Sequence, residues 1–454
     1  MKKKKFRLSA WQYLAIGYLG ALLIGSILLI LPFATADGQT TSYLNALFTS
    51  ASATCITGLA PYDTGTHWTL FGQIVILILI QFGGLGFMTI VSSIFMIMKR
   101  NMGLSERTTT LLDTGGGSKF SDLKQLVKRI LIGTVVFEVL GALLLCIRFI
   151  PEYGAGTGIY FAIWHSISAF CNAGFDLMGS VGKSSLTSYA GDPLVSLTIC
   201  ALIMIGGLGF MVWSDIVDCK HRIKKYQLNT KVLLFVNLII WTLSTLLFLA
   251  VEWNNPSYAD FNGGEKLLAS FFNAVTARTA GFYSTAPETL SESGVVLMIM
   301  LMFIGGSSGS TAGGIKVGTF TVIVTGMLAT FRGSKDINVG KKRIEYSLLS
   351  QALAIFAACL IIIILSSFII CALEPELPAQ YVLFECTSAL SNTGLSMGME
   401  GGTSCTSSLN VGSRIIIILL MYAGRIGILT LALALGGKRK TGEVRRPVDT
   451  LLIG

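Results

Sequence analysis

The sequence predicts an all-α membrane protein: four pseudo-symmetric helix–pore-loop–helix repeats around one central pore, with eight spanning helices and four re-entrant pore helices. Two observations carry this prediction. The first is an internal repeat. FTSASATCITGL at residues 48–59 is matched by WHSISAFCNAGF at 164–175, FFNAVTARTAGF at 271–282 and FECTSALSNTGL at 384–395. Aligned on Gly58, Gly174, Gly281 and Gly394, each copy has an aromatic residue ten positions earlier (Phe48, Trp164, Phe271, Phe384). The glycines lie 116, 107 and 113 residues apart, close to a quarter of the chain, the mark of a repeat architecture. The second is composition. Of 454 residues 52% are hydrophobic and 13% charged, with mean hydropathy +0.70, whereas a soluble domain carries about 25% charged residues.

Taken in order, apolar runs of spanning length begin near Trp11, Gly72, Val127, Leu194, Val232, Gly294, Leu348 and Ile415. The first follows MKKKKFR and resembles a signal peptide. It is about 20 residues long and lacks a small-residue cleavage site, so it reads as a retained spanning helix. Each glycine stretch falls between two runs and follows a half-helix of about ten residues, too short to cross. The quarters are 1–105, 106–224, 225–335 and 336–454. A short helix followed by irregular backbone at membrane depth is tolerated where it lines a watery cavity. Small-residue helix contacts are the alternative, but they do not demand a half-helix in every quarter.

Charge predicts the orientation. Of 34 Lys and Arg residues, 27 cluster in 2–7, 99–129, 220–231, 332–343 and 438–446. The positive-inside rule puts these segments, and both termini, in the cytoplasm. The opposite face carries fourteen acids, among them Asp63, Asp176, Glu288 and Glu385, against four bases. Such an asymmetry forms a vestibule that concentrates cations. The net charge of +10 therefore reads as topology, and no nucleic-acid partner is expected. The nine scattered cysteines read as free thiols, and His67, His165 and His221 suggest no ligand set. No nucleophile, base or metal cluster stands out, so no enzyme is expected.

A cation leaving water needs its hydration shell replaced by oxygens, which backbone carbonyls in four converging loops supply. The expected filter is Ile56, Thr57 and Gly58; Asn172, Ala173 and Gly174; Thr279, Ala280 and Gly281; Asn392, Thr393 and Gly394. The paired residues before each glycine share little side-chain chemistry, which fits a site built from backbone. Glycine suits it because its backbone adopts conformations that other residues resist.

The inner helices carry glycines at matching places, QFGGLGF at 81–87, IGGLGF at 205–210 and YAGRIG at 422–427; the first two read as close packing or bends. The third differs. Residues 305–318 hold six glycines (Gly305, Gly306, Gly309, Gly313, Gly314, Gly318) with Ser307, Ser308, Ser310, Thr311 and Lys316, so continuous helix is improbable there. The phosphate-loop pattern fails because Ile315 stands where it requires lysine. The segment reads as an unwound gate under the filter, with Arg425 of the fourth inner helix at the same depth. Arg278, three residues before Gly281, is expected to brace the third loop from behind through Glu385. Glu138, mid-span, reads as the structural partner of a buried donor.

These motifs resemble the Trk/Ktr/HKT superfamily of potassium transporters, most closely the membrane subunit of a bacterial Ktr system. TCITGL, FCNAGF, TARTAGF, LSNTGL and GGSSGSTAGGIK carry the resemblance, which covers nearly the whole chain. It implies a potassium site at the filter glycines, K+ as the transported ion with Na+ as a second candidate, and no organic cofactor. Glycine at all four filter positions is the pattern of potassium-selective members. One glycine per loop implies fewer carbonyl rings than in tetrameric channels and looser selectivity. The resemblance also implies a plasma-membrane homodimer on a cytosolic ring of nucleotide-binding regulatory subunits. Lys341, Lys342 and Arg343 are candidate docking charges, and the apolar end Leu451, Leu452 and Ile453 a candidate dimer contact. A secondary transporter coupling another solute to a cation remains the second reading.

Overall fold

The computed structural model describes residues 9–86, 89, 90, 92, 108, 123–334, 336–340, 342–399 and 404–435. Four long helices frame it: Ala10–Leu29, Leu123–Tyr153, Leu228–Glu252 and Tyr346–Leu373. All four contain stretches long and apolar enough to cross a bilayer. Their outward faces expose large apolar side chains, such as Ile24, Leu143, Phe235 and Phe368, the last at 73%. A soluble fold would hide such faces, whereas lipid accepts them. Ser9 starts the first helix with a capping box, accepting from the Gln12 N–H while the Gln12 side chain accepts from its own.

Polarity is inverted inside. Each long helix is followed by a shorter one where the sequence places a pore helix, the term kept for it below: Tyr43–Thr54, Ala155–Phe170, Gly263–Thr276 and Ala379–Ser391. Half or more of the residues of each are buried. Thr49, Ser50, Ser52, Thr54, His165, Ser270 and Ser388 are fully shielded on them. Phe48, Trp164 and Phe384 are likewise buried, whereas Phe271 is half-buried at a side pocket and its neighbour Phe272 fills the core. The third repeat thus shifts its aromatic anchor by one position.

The second apolar stretch of each repeat, the inner helix, is not one straight span: a bend, one of the two readings of the IGGLGF glycines, and the unwound stretch expected in the third repeat are both present, and the fourth repeat bends as well. Pro193–Gly207 meets Phe210–Cys219 at 91°, and Val411–Ile426 meets Ile428–Ala434 at 93°. Gly209 at φ +97° and Gly427 at φ +87° form these corners, in a conformation only glycine adopts freely. Leu70–Leu85 ends at Gly86, φ +83°. Glu292–Phe303 gives way to a non-helical segment, 304–316, before helix resumes at Val317–Phe331. The expected unwound segment is therefore present, but Val317 and Gly318 already belong to the following helix.

A short antiparallel hairpin, Ile337–Val339 with Lys342–Ile344, joins the third repeat to the fourth and places Lys342 and Arg343 on one strand. Lys341, Glu400 and the apolar C-terminal residues lie outside the described residues, as do most of the basic clusters that predicted the orientation.

Candidate functional site

The four pore helices end where the repeated glycines begin, and their C-terminal partial charges are negative, which suits a cation. Four of the six non-glycine residues with positive φ among the described residues are Ile56 (51°), Asn172 (55°), Thr279 (76°) and Asn392 (54°). Each stands two positions before a repeat glycine, and the glycines have positive φ too: 97°, 69°, 79° and 90° for Gly58, Gly174, Gly281 and Gly394. Ile56 and Thr279 are β-branched, and the left-handed region is strained for them by about 1–3 kcal/mol. A left-handed residue repeated at one position in all four repeats, strained in two of them, marks a site that the surrounding fold enforces.

The strands converge. A β-carbon built on Gly58 would lie 2.6 Å from the Ala173 carbonyl oxygen, one on Gly174 2.8 Å from that of Ala280, and one on Gly281 2.7 Å from that of Thr393. One on Gly394 would strike the Thr57 oxygen, closing the cycle. The same position on Gly58 is 3.2 Å from the Gly174 Cα and 3.3 Å from the Gly394 Cα. Gly281 is likewise flanked by Gly174 and Gly394. The twelve expected filter residues are therefore brought together in one ring, in the order first, second, third, fourth repeat, with no room for side chains at its glycines.

Side chains tie the ring to its surroundings. Asn392 donates from Nδ2 to Thr57 Oγ1 at 2.9 Å and to the Met421 carbonyl at 2.8 Å. The Asn172 amide lies within 3.5 Å of Thr279 Oγ1 and 3.3 Å of Thr311 Oγ1. Two opposite repeats thus each hold the next by an asparagine. Behind the second strand, Gln81 donates from Nε2 to Glu138 at 3.2 Å, so Glu138 finds a structural partner as expected, on the neighbouring repeat.

On one side the ring opens into a cavity of about 650 Å³ lined by Gly58, Gly174, Gly281 and Gly394 together with Asp63, Asp176 and Glu288. Of the fourteen acids, thirteen are among the described residues, and only these three of them line it. Others do structural work: Glu252 accepts from Ser291, Asp192 pairs with Arg148 at 2.9 Å, and Glu374 accepts from the Asn410 N–H at 2.6 Å.

On the other side lies the 304–316 segment, which touches the second, third and fourth repeats and is linked to the first through Arg425. The N–H groups of Ser307 and Thr311 donate to the carbonyls of Gly207 and Gly206 at 3.0 and 3.3 Å, and the Phe210 N–H to that of Gly309 at 2.8 Å. Asn237 donates to Ser307 Oγ at 3.1 Å. Gly313 packs on Ser391 and Asn392. Lys316 turns its ammonium back onto the carbonyls of Ala312, at 2.6 Å, and Gly313, at 3.3 Å. Arg425 donates to the Thr311 carbonyl at 2.8 Å and to that of Gly83 in the first repeat. Gly305, Gly306, Ser308, Ser310 and Gly314 complete the segment, so all the expected gate residues lie in or against it.

The expected bracing of Arg278 by Glu385 does not occur. Arg278, 4% exposed, donates from Nη2 to the Gly305 carbonyl at 2.8 Å and lies 5.5 Å from the Trp241 ring centre. Glu385 accepts from Thr406 at 2.9 Å and from Ser396, two residues beyond Gly394. The two side chains face opposite ends of the ring, since Arg278 follows its pore helix and Glu385 stands within its own.

Four glycine turns thus meet in one ring, inside a helical bundle with an apolar exterior. The chain belongs to the TrkH family of cation transport proteins, whose family model matches residues 22–438. It is 39% identical over 452 residues to the Ktr system potassium uptake protein B of Bacillus subtilis, covering 99% of this chain and 98% of that one. It is 38% identical over 460 residues to the potassium/sodium uptake protein NtpJ of Enterococcus hirae, covering 100% and 99%. Among solved structures, the potassium transporter TrkH of Vibrio parahaemolyticus superimposes with a TM-score of 0.73 over 96% of this chain and 86% of that one; at 18% identity this supports the fold.

Proposed function

We propose that the chain is the potassium-conducting membrane subunit of a K+ uptake system. The reading rests on one observation: four left-handed glycine strands close into a ring in which each glycine abuts the next repeat's carbonyl. Carbonyls of Ile56, Thr57 and Gly58 and their counterparts replace the ion's water. The acids of the adjoining cavity gather cations, and pore-helix C-termini favour their charge. Two relatives bear names that bear on the ion, one for potassium uptake and one for potassium and sodium. K+ is the proposed cargo, with Na+ as a competitor or second substrate. Residues 304–316 with Arg425 form the closed barrier, opened by cytosolic nucleotide-binding subunits docked in part through Lys342 and Arg343. The functional unit is a homodimer with two pores, both termini in the cytoplasm. A secondary transporter of another solute is less favoured, because fourfold repetition around one ring differs from the two halves usual in alternating access.

The test is growth of a potassium-uptake-deficient bacterium at limiting K+, with the regulatory partner supplied. Rescue is expected. Failure with the protein inserted and assembled would sink the reading.

A further inference from the structure

Three of the four glycine strands are fastened to their own pore helix, and the third is fastened differently. The N–H groups of Thr57, Ala173 and Thr393 donate to the carbonyls of Ser52, Ser168 and Ser388, five residues earlier, each at 2.8 Å. Ala280 instead donates to Thr276, four residues earlier, at 3.0 Å. In the first and fourth repeats the serine hydroxyl also accepts from the glycine N–H, Gly58 to Ser52 and Gly394 to Ser388, both at 3.0 Å. Val275 occupies the matching position of the third repeat and has no hydroxyl.

The inner helix departs in the same repeat. Gly83, Gly206 and Gly424 press against the carbonyls of Thr54, Phe170 and Leu390, each four residues before its ring glycine. In the third repeat the helix has already ended at Phe303, and Gly305 and Gly306 press on Gly313 and Ala312 of their own segment. What spans the gap is Arg278, whose guanidinium reaches the Gly305 carbonyl. A charge-assisted bond from a buried guanidinium is strong, and breaking it leaves a costly unpaired charge.

We infer that Arg278 is the strut by which the intramembrane segment holds the third strand in shape, so that displacing the segment loosens that strand and lowers ion discrimination. This rests on reading the ring as filter and the segment as gate. Coupling of this kind is reciprocal, so filter occupancy biases the segment equally. Arg278 is thus a positioning residue, acting on the ion through Thr279 and Ala280.

The test measures K+ against Na+ permeability in proteoliposomes holding the full chain and its regulatory partner. Arg278→Gln is compared with the parent in two backgrounds, the native segment and one shortened within residues 309–314. With the native segment it is expected to lower K+ preference at least about twofold, the smallest effect of coupled neighbours. With the shortened segment it should add nothing. Val275→Ser, which restores the missing hydroxyl, should recover preference in the Arg278→Gln protein. Equal losses in both backgrounds, or no loss, overturn the coupling. If Arg278→Gln does not assemble, Arg278→Lys, which keeps the charge, is judged by the same criterion. Shortening that leaves the maximal rate unchanged overturns the gate reading, and this inference with it. A raised rate with additive effects overturns the coupling alone.

Discussion

Arg425 donates from Nη1 to the Thr311 carbonyl at 2.8 Å while its Nη2 is bonded to Gly83, so one side chain of the fourth repeat links the third repeat to the first. Its charge is permanent. Held by two carbonyls at the far end of the ring from the acidic cavity, it ties the 304–316 segment to the first repeat, and in the function proposed above it would also oppose a cation arriving from the ring.

Arg425→Ala should therefore raise the maximal uptake rate severalfold and leave the half-saturating K+ concentration nearly unchanged. Removing one charge-assisted bond weakens the closed arrangement by about 1.5–3 kcal/mol. Shortening the segment within residues 309–314 should act in the same direction. Uptake kinetics of assembled protein decide the matter: if both variants lower the rate or leave it alone, the barrier lies elsewhere.

Serine at Gly58 should weaken potassium preference. The backbone there has φ +97°, and a β-carbon would lie 2.6 Å from the Ala173 oxygen. Strain of about 1–3 kcal/mol corresponds to roughly a tenfold rise in the K+ concentration for half-maximal uptake, measured with Na+ competing. Serine at each of the four glycines, tested singly, should behave alike. Four unchanged values would remove the filter from this ring.

Alanine at Gly206 or Gly424 should destabilise the protein, because each glycine lies against a pore-helix carbonyl, Phe170 or Leu390. Overpacking of this kind costs about 1–3 kcal/mol. Gly20, with nothing within 4 Å of its β-position, is the control, and alanine there should be neutral or stabilising. Thermal inactivation in detergent compares them. Equal half-lives for all three variants would refute the packing argument.

Much of this was legible in the residues. The glycine repeat marked the ring, and six glycines in residues 305–318 marked the break, because both are backbone signals with a direct physical cause. Asn172 and Asn392 hinted at the left-handed step before each ring glycine, since asparagine tolerates it. Ile56 and Thr279 adopt the same step with no such hint, because the tertiary fold imposes it against their preference. Partners of long side chains were the least legible. Arg278 reaches a carbonyl near in space through the broken helix, and nothing in residue type distinguishes that acceptor from Glu385. The corners of the inner helices were legible only in part: a single glycine such as Gly209 or Gly427 permits a corner without requiring one, so the sequence left close packing and a bend undivided.

Asp176, two residues beyond Gly174, gives the cavity a pH response. Burial pushes its carboxyl up to about 7; the Met178 N–H opposes this, the nearby Asp63 adds to it, and the Ser185 hydroxyl opposes it. Tyr283 and Glu288 line the same cavity, and its Lys183 is engaged by Glu152 at 2.6 Å. Below pH 7 Asp176 is neutral in the folded protein, and the mouth of the ring loses a negative charge. Half-saturating K+ should therefore rise as pH falls from 8 to 6, and Asp176→Asn should be flat at the low-affinity level. Stability has the opposite sign. An unfolded aspartate ionises near pH 4, so between that pH and 7 the folded state binds the extra proton and loses stability as pH rises. Asp176→Asn should accordingly lower K+ affinity at pH 8 while resisting heat better than the parent there. A variant that loses both affinity and stability at pH 8 would mean that Asp176 is a structural cap for the Met178 turn and no part of the ion's approach.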